Sequence, residues 1–242
     1  MDKGSQRYFS TKHERTVYSA EQIAKHLFEI FPDIKSAVDV GSGVGTFLTV
    51  LMENGINDVV GLDGDWIDQN LLTIPKEKYI CVDLTKPVKL ERKFDLAISL
   101  EVGEHLPPES AEGLVKTLVG LSDIILFSAA IPGQGSRRHI NEQWPEYWVS
   151  LFEKFGFEVF DIMRDKLWHD SKILVWYRQN ILIFIKKSRA SEFSILSKEE
   201  NYRYRFPLSV VHPEMFESNM KKYTSIKGSW KTFRREVKKK LL

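Results

Sequence analysis

Nine residues, Val38-Asp39-Val40-Gly41-Ser42-Gly43-Val44-Gly45-Thr46, constrain this chain more than any others. Small β-branched residues run into an acid, three glycines alternate with other residues, and a helical pattern, Phe47-Leu48-Thr49-Val50-Leu51-Met52, follows at once. This predicts a strand that turns tightly into a helix N-terminus. Glycine there permits positive φ and lets a ligand approach the backbone with no Cβ in the way. The free N–H groups of the first helical turn face the same crevice.

A dinucleotide-binding turn reads G-x-G-x-x-G, with a pyrophosphate on the helix dipole. The spacing here is G-x-G-x-G, which disfavours a dehydrogenase, and Asp39 stands two residues before the first glycine. An acid at that strand end suits a cationic amine better than a pyrophosphate. A second strand, Val59-Val60-Gly61-Leu62-Asp63, ends 18 residues after Gly45, where a ribose diol would be hydrogen-bonded. A third, Tyr79-Ile80-Cys81-Val82-Asp83-Leu84, puts Asp83 where a carboxylate can accept from an adenine amino group.

This set resembles the class I S-adenosylmethionine-dependent methyltransferases, whose ligand carries an amine, a ribose and an adenine but no phosphate. The resemblance covers about residues 36–186. It implies S-adenosyl-L-methionine as cofactor, held by Asp39, Gly41, Ser42, Gly43, Gly45, Asp63, Gly64, Asp83, Leu84 and Glu101. Strands alternating with helices predict an α/β, doubly wound parallel sheet. The resemblance adds the Rossmann-like order 3-2-1-4-5-7-6, seven strands, mostly parallel with an antiparallel edge strand.

The organisation follows from pattern and charge. Ser19-Ala20-Glu21-Gln22 reads as a capping box that opens an N-terminal helix, after a loose lead-in with Tyr8 and Phe9 as lid or anchor aromatics. A methyltransferase domain is expected over 1–187 and a C-terminal extension over 188–242. Residues 221–242 carry nine Lys and Arg against one Glu, so the overall charge of +2 hides a basic tail on an acidic body. A body of that sign is not a nucleic-acid platform. Trp230, Phe233, Val237 and Leu241 fall on one stripe of a basic amphipathic helix, suited to an anionic membrane or a partner protein. The lone Cys81 excludes an intrachain disulfide, reads as a buried small hydrophobe in its strand, and fits a cytoplasmic protein, peripheral at most at the inner membrane face.

Chemistry is expected just beyond strand four, Phe94–Leu100, because ligands in open α/β sheets sit outside the carboxyl ends of the strands where the order reverses. Methyl transfer is an in-line displacement, so the chain chiefly aligns the acceptor and excludes water. A hydroxyl or ammonium acceptor also needs a base, and Glu104, His105 and His139 are the candidates. The spacing Glu101-x-x-Glu104-His105 plus a later His also resembles the metal-binding set of small-RNA 3′-terminal 2′-O-methyltransferases. We expect no metal.

The polar-aromatic segments 128–148 and 176–180 resemble those of a group of bacterial methyltransferases from polysaccharide or secondary-metabolite pathways. That resemblance implies a small sugar or sugar-linked acceptor, with Trp144, Trp148 and Trp176 stacking on a sugar face and Asn141, Gln143, Arg178 and Asn180 hydrogen-bonding to it. Two rivals stand beside this reading. One is metal-dependent methylation of an RNA 3′-terminal ribose, with the tail as a grip. The other is a non-catalytic methyltransferase-fold subunit that binds donor or partner.

Overall fold

The computed structural model describes the backbone of residues 3–136, 138–193 and 207–224, and side chains over 16–136, 138–193 and 207–221. Seven strands form one sheet: β1 (Ser36–Val40), β2 (Asp58–Asp63), β3 (Tyr79–Cys81), β4 (Leu96–Leu100), β5 (Ile124–Ser128), β6 (Phe157–Phe160) and β7 (Leu182–Lys186). Their order is β3-β2-β1-β4-β5-β7-β6, as expected. β3, β2, β1, β4 and β5 run parallel. β1 and β5 are buried at every position, which matches their unbroken apolar runs.

The antiparallel strand lies one place inside the edge. β7 pairs with β5 on one side and β6 on the other, antiparallel to both. Leu182, Ile183, Phe184 and Ile185 are apolar towards both faces and fully covered, so this strand belongs inside. β6, with its partly exposed Glu158, takes the edge.

Helices cover the two faces. α1 (Lys3–Ile30), α2 (Thr46–Glu53), α5 (Ile162–Leu167) and α6 (Val175–Asn180) build one core with the sheet. α3 (Ala111–Leu121) and α4 (Pro145–Lys154) build the other. α1 is a single helix from Lys3, so Ser19 is no N-cap. Its buried hydroxyl instead accepts from Leu174 N at 3.0 Å, tying down the start of α6 from across the core. The side chains of Tyr8 and Phe9 lie outside the described residues.

Cys81 is exposed, contrary to the expectation of a buried strand residue. β3 is the other edge of the sheet, and its last two side chains are uncovered. The final described helix, α7 (Pro213–Thr224), and the stretch leading into it pack back on the domain. The amphipathic helix expected over 229–242 lies outside the described residues. Among those described, no helix is long and apolar enough to cross a membrane.

Candidate active site

β1 is flanked by β2 and β4, whose connections leave in opposite directions, so a crevice opens beyond Val40. The chain turns there through Gly41 at φ +89° and Gly45 at φ +93°. A Cβ on Gly41 would lie 2.3 Å from Val102 Cγ2, so the glycine loop presses against the chain that leaves β4. At Gly43 a Cβ would meet none of the described residues within 4 Å, leaving room among them beside the loop. Asp63 holds this geometry: its carboxylate accepts from Gly43 N and Gly64 N, both at 2.7 Å.

Asp39 is buried beside Asp63 at the end of β1. Burial first, and the Asp63 charge second, push its carboxyl up to about 8. Ser42 Oγ is buried without a hydrogen-bond partner among the described residues. A buried acid held neutral and an unsatisfied hydroxyl at an open glycine turn fit a ligand carrying a cationic amine and polar groups. Asp83 lies two residues past β3 and accepts from Thr85 N and Oγ1 at 3.0 and 2.6 Å. Leu84 packs towards the α3 side. Trp66, 58% exposed, lies against Gly64, an apolar surface beside the loop that sequence reasoning passed over.

The second half of the site is a cluster of acids and imidazoles. Glu101 N donates to Ser128 O and Oγ at 2.9 and 3.1 Å, at the ends of β4 and β5. Its side chain accepts from Gln134 Nε2 at 2.9 Å and Asn180 Nδ2 at 3.0 Å. Glu104, three residues on, is completely buried, and neither carboxyl oxygen has a hydrogen-bond partner among the described residues. Burial, with Glu101 as neighbour, pushes Glu104 up to about 9. The loop after β5 closes over it: Ile140 N and Asn141 N donate to the Glu104 carbonyl at 2.9 and 3.1 Å.

That loop brings His139 to His105, ring centroids 4.9 Å apart and nearly perpendicular. His139 Nε2 is 4.0 Å from Glu104 Oε1. Each imidazole is oriented through its other nitrogen. His139 Nδ1 donates to Glu142 Oε1 at 2.8 Å, and His105 Nδ1 to the Arg138 carbonyl at 3.2 Å. A carbonyl can only accept, so in the neutral ring of His105 the basic nitrogen is Nε2. Glu104, His105 and His139 each offer a ligand atom, and these atoms lie within 4.8 Å of one another. They form a donor set of the kind the Glu101-x-x-Glu104-His105 spacing resembles, without Glu101.

The three expected acid–base residues are therefore gathered, and the expected acceptor residues are divided. Trp144 is 41% exposed and Gln143 partly exposed, as an acceptor surface requires. Trp148 is not available: it is 2% exposed, packed on Phe127, and set where a Cβ on Gly103 would be 2.6 Å from its ring. Arg178 is also buried, donating to Ile173 O at 2.9 Å and Trp168 O at 3.2 Å and pairing with Glu214. The resemblance of the polar-aromatic segments assigned both to the acceptor, whereas the chain uses them to pack α4 and α6. Asn141 spends its amide on Gly103 O at 3.3 Å, and Asn180 on Glu101. Glu142, Gln134 and Gln179 escaped notice, since isolated polar residues in a loop or short helix carry no pattern.

Residues 12–119, just under half of the chain, match the family model of a methyltransferase domain. A comparison with curated proteins finds no match. Among solved structures, the plantazolicin methyltransferase BpumL in complex with S-adenosylhomocysteine aligns at 16% identity with a TM-score of 0.51, over 76% of this chain and 91% of its own. A chain of the complex formed with the Haloferax volcanii Trm112 methyltransferase activator aligns at 14% identity with a TM-score of 0.51, over 74% and 95%. Streptomyces venezuelae DesVI aligns at 20% identity with a TM-score of 0.44, over 56% of this chain and 61% of its own. The two likenesses at a TM-score of 0.51 carry the fold. The domain match agrees with S-adenosyl-L-methionine as the cofactor.

Proposed function

We propose that the chain transfers the methyl group of S-adenosyl-L-methionine to a hydroxyl of a small polar acceptor, a sugar or sugar-linked precursor. The observation that carries this reading is the meeting of His105 and His139 over buried Glu104, on the chain that presses against the glycine loop. When bound, S-adenosyl-L-methionine supplies an electrophilic methyl group. Asp39 takes its amine, Asp63 with Gly43 and Gly64 its ribose, and Asp83 and Leu84 its adenine end. His139 commits Nδ1 to Glu142, so Nε2 is the nitrogen that takes a hydroxyl proton. Trp144 offers an apolar face and Gln143 a carboxamide to the acceptor, in the manner usual for polar ligands in aromatic clefts.

Calorimetry tests the cofactor half directly. S-Adenosylhomocysteine is expected to bind with a dissociation constant on the order of micromolar, a free energy of about −8 kcal/mol. Methyl incorporation into a panel of soluble glycosides, set beside a short RNA with a free 3′-terminal ribose, tests the acceptor. Binding of NAD without binding of S-adenosylhomocysteine would end the reading, and methylation of the RNA alone would replace the sugar with a nucleic acid.

One observation favours a second version of the same chemistry. Two imidazoles tied back through Nδ1 and a buried carboxyl group with no hydrogen-bond partner among the described residues are a donor set suited to a divalent cation. When bound, such an ion lowers the pKa of a coordinated hydroxyl. Under this version Mn²⁺ or Mg²⁺ raises the thermal midpoint of the protein, the rise disappears in His139→Ala, and chelator abolishes methyl transfer. A midpoint indifferent to both ions leaves the imidazole as base.

A further inference from the structure

Residues 207–224 return across the site, and the bonds that seat them run into its chemistry. Arg164 Nη1 donates to Leu208 O at 2.7 Å, and Ser209 N donates to Glu146 at 3.1 Å. Two further contacts lead inward. His212 N donates to Gln179 Oε1 at 2.8 Å, and Asn219 Nδ2 to Gly133 O at 2.8 Å.

The first contact sets the polarity of a row of buried carboxamides. A backbone N–H can only donate, so Gln179 turns its carbonyl to the strap and its NH₂ inward. That NH₂ reaches Asn180 Oδ1 at 2.9 Å and Gln134 Oε1 at 3.4 Å. Asn180, its carbonyl engaged, turns its own NH₂ to Glu101 Oε1 at 3.0 Å and Gln134 Oε1 at 2.9 Å. Gln134 then donates to Glu101 Oε2 at 2.9 Å. The row starts on a group that only donates and ends on a carboxylate that accepts, so both ends demand the same orientation of every amide between them.

Glu101 is a residue that needs holding. At φ +57° it is the one described non-glycine residue in the left-handed region, a strained conformation that persists only where the surroundings impose it. The second contact reaches the other side of the site. Gly133 N donates to Glu142 Oε2 at 2.8 Å, and Glu142 Oε1 accepts from His139 Nδ1.

We propose that the 207–220 strap is a positioning element of the transfer site, with Gln179 as the residue that transmits its seating to Glu101. The consequence for turnover rests on the methyl-transfer reading, whereas the spectroscopic test does not. In full-length protein labelled with ¹³C-glutamate, the Glu101 Cδ resonance is identified by its loss in Glu101→Gln. Gln179→Met keeps the volume and removes the relay; His212→Pro leaves Gln179 in place and removes the strap's N–H from it, together with the imidazole's contacts to Arg178, Trp168 and Glu214. Both are expected to move the Glu101 resonance while the S-adenosylhomocysteine dissociation constant changes by less than about twofold. With a glycoside that turns over, kcat falls by about tenfold in Gln179→Met, and the change adds nothing in a Glu101→Gln background. An unmoved Glu101 resonance in whichever of the two variants folds overturns the proposal. A wild-type protein that binds no S-adenosylhomocysteine sinks the methyl-transfer reading and leaves the resonance test in force.

Discussion

His139→Ala is expected to lower turnover by about a hundredfold or more while leaving S-adenosylhomocysteine affinity within about twofold of wild type. The ring stands on the loop after β5 and is no part of the glycine turn that would hold the donor, and its Nε2 lies 4.0 Å from Glu104 Oε1. Its Nδ1 proton is fixed by Glu142, whose two oxygens also accept from Gly133 N and Gly135 N at 2.8 and 2.7 Å. Removal of the imidazole therefore deletes a base without disturbing the frame that carries it. His105→Ala and Glu104→Gln act on the same unit, so the double variants are expected to fall little below the singles. Single-turnover rates with a methylated panel glycoside, beside calorimetric titrations, check this. A loss of donor affinity in proportion to the loss of turnover would place His139 in donor binding and remove it from acceptor chemistry.

What sequence could foretell here follows the range over which each signal acts. The glycine turn, the acids at the ends of β1 and β2 and the apolar runs of β1 and β5 are local, and they fold as read. The gathering of Glu104, His105 and His139 also follows, because β4 and β5 are neighbours and their loops share one end of the sheet. Trp148 and Arg178 fail for the opposite reason. Whether an aromatic or a guanidinium faces a cleft or a core depends on contacts from distant segments: Phe127 and Gly103 for Trp148, Trp168 and Glu214 for Arg178. Ser19 shows the same limit, since its partner Leu174 is 155 residues away. Cys81 was misjudged because an edge strand and a central one can share a sequence pattern. The carboxamide row from Gln179 to Glu101 leaves no trace in spacing at all, and only the fold assembles it.

The acid pair at the glycine turn carries the second large effect, and its sign depends on pH. The Asp39 carboxyl stands near 8 in the ligand-free fold, against about 3.8 when the chain is unfolded. Between those values the folded state holds a proton that the unfolded state has released, so the group's contribution to stability falls as pH rises and is lowest above 8. Asp39→Asn removes that penalty and is expected to raise the ligand-free thermal midpoint at pH 8.5 by about 2–4 °C for each kcal/mol relieved, with a much smaller gain at pH 5 and none below the unfolded carboxyl's range. A cationic amine beside Asp39 favours the ionised form, so binding of S-adenosylhomocysteine near pH 7 should release about one proton and tighten as pH rises from 6 towards 8. The binding enthalpy then varies with the ionisation enthalpy of the buffer. In Asp39→Asn that variation vanishes and affinity falls by about tenfold or more. Asp63→Ala costs at least as much, because it removes a charged acceptor and also frees Gly43 N and Gly64 N from the bonds that shape the turn. A binding enthalpy identical in phosphate and Tris at pH 7 would show that Asp39 keeps its proton, and the amine would then have to be placed elsewhere in the crevice.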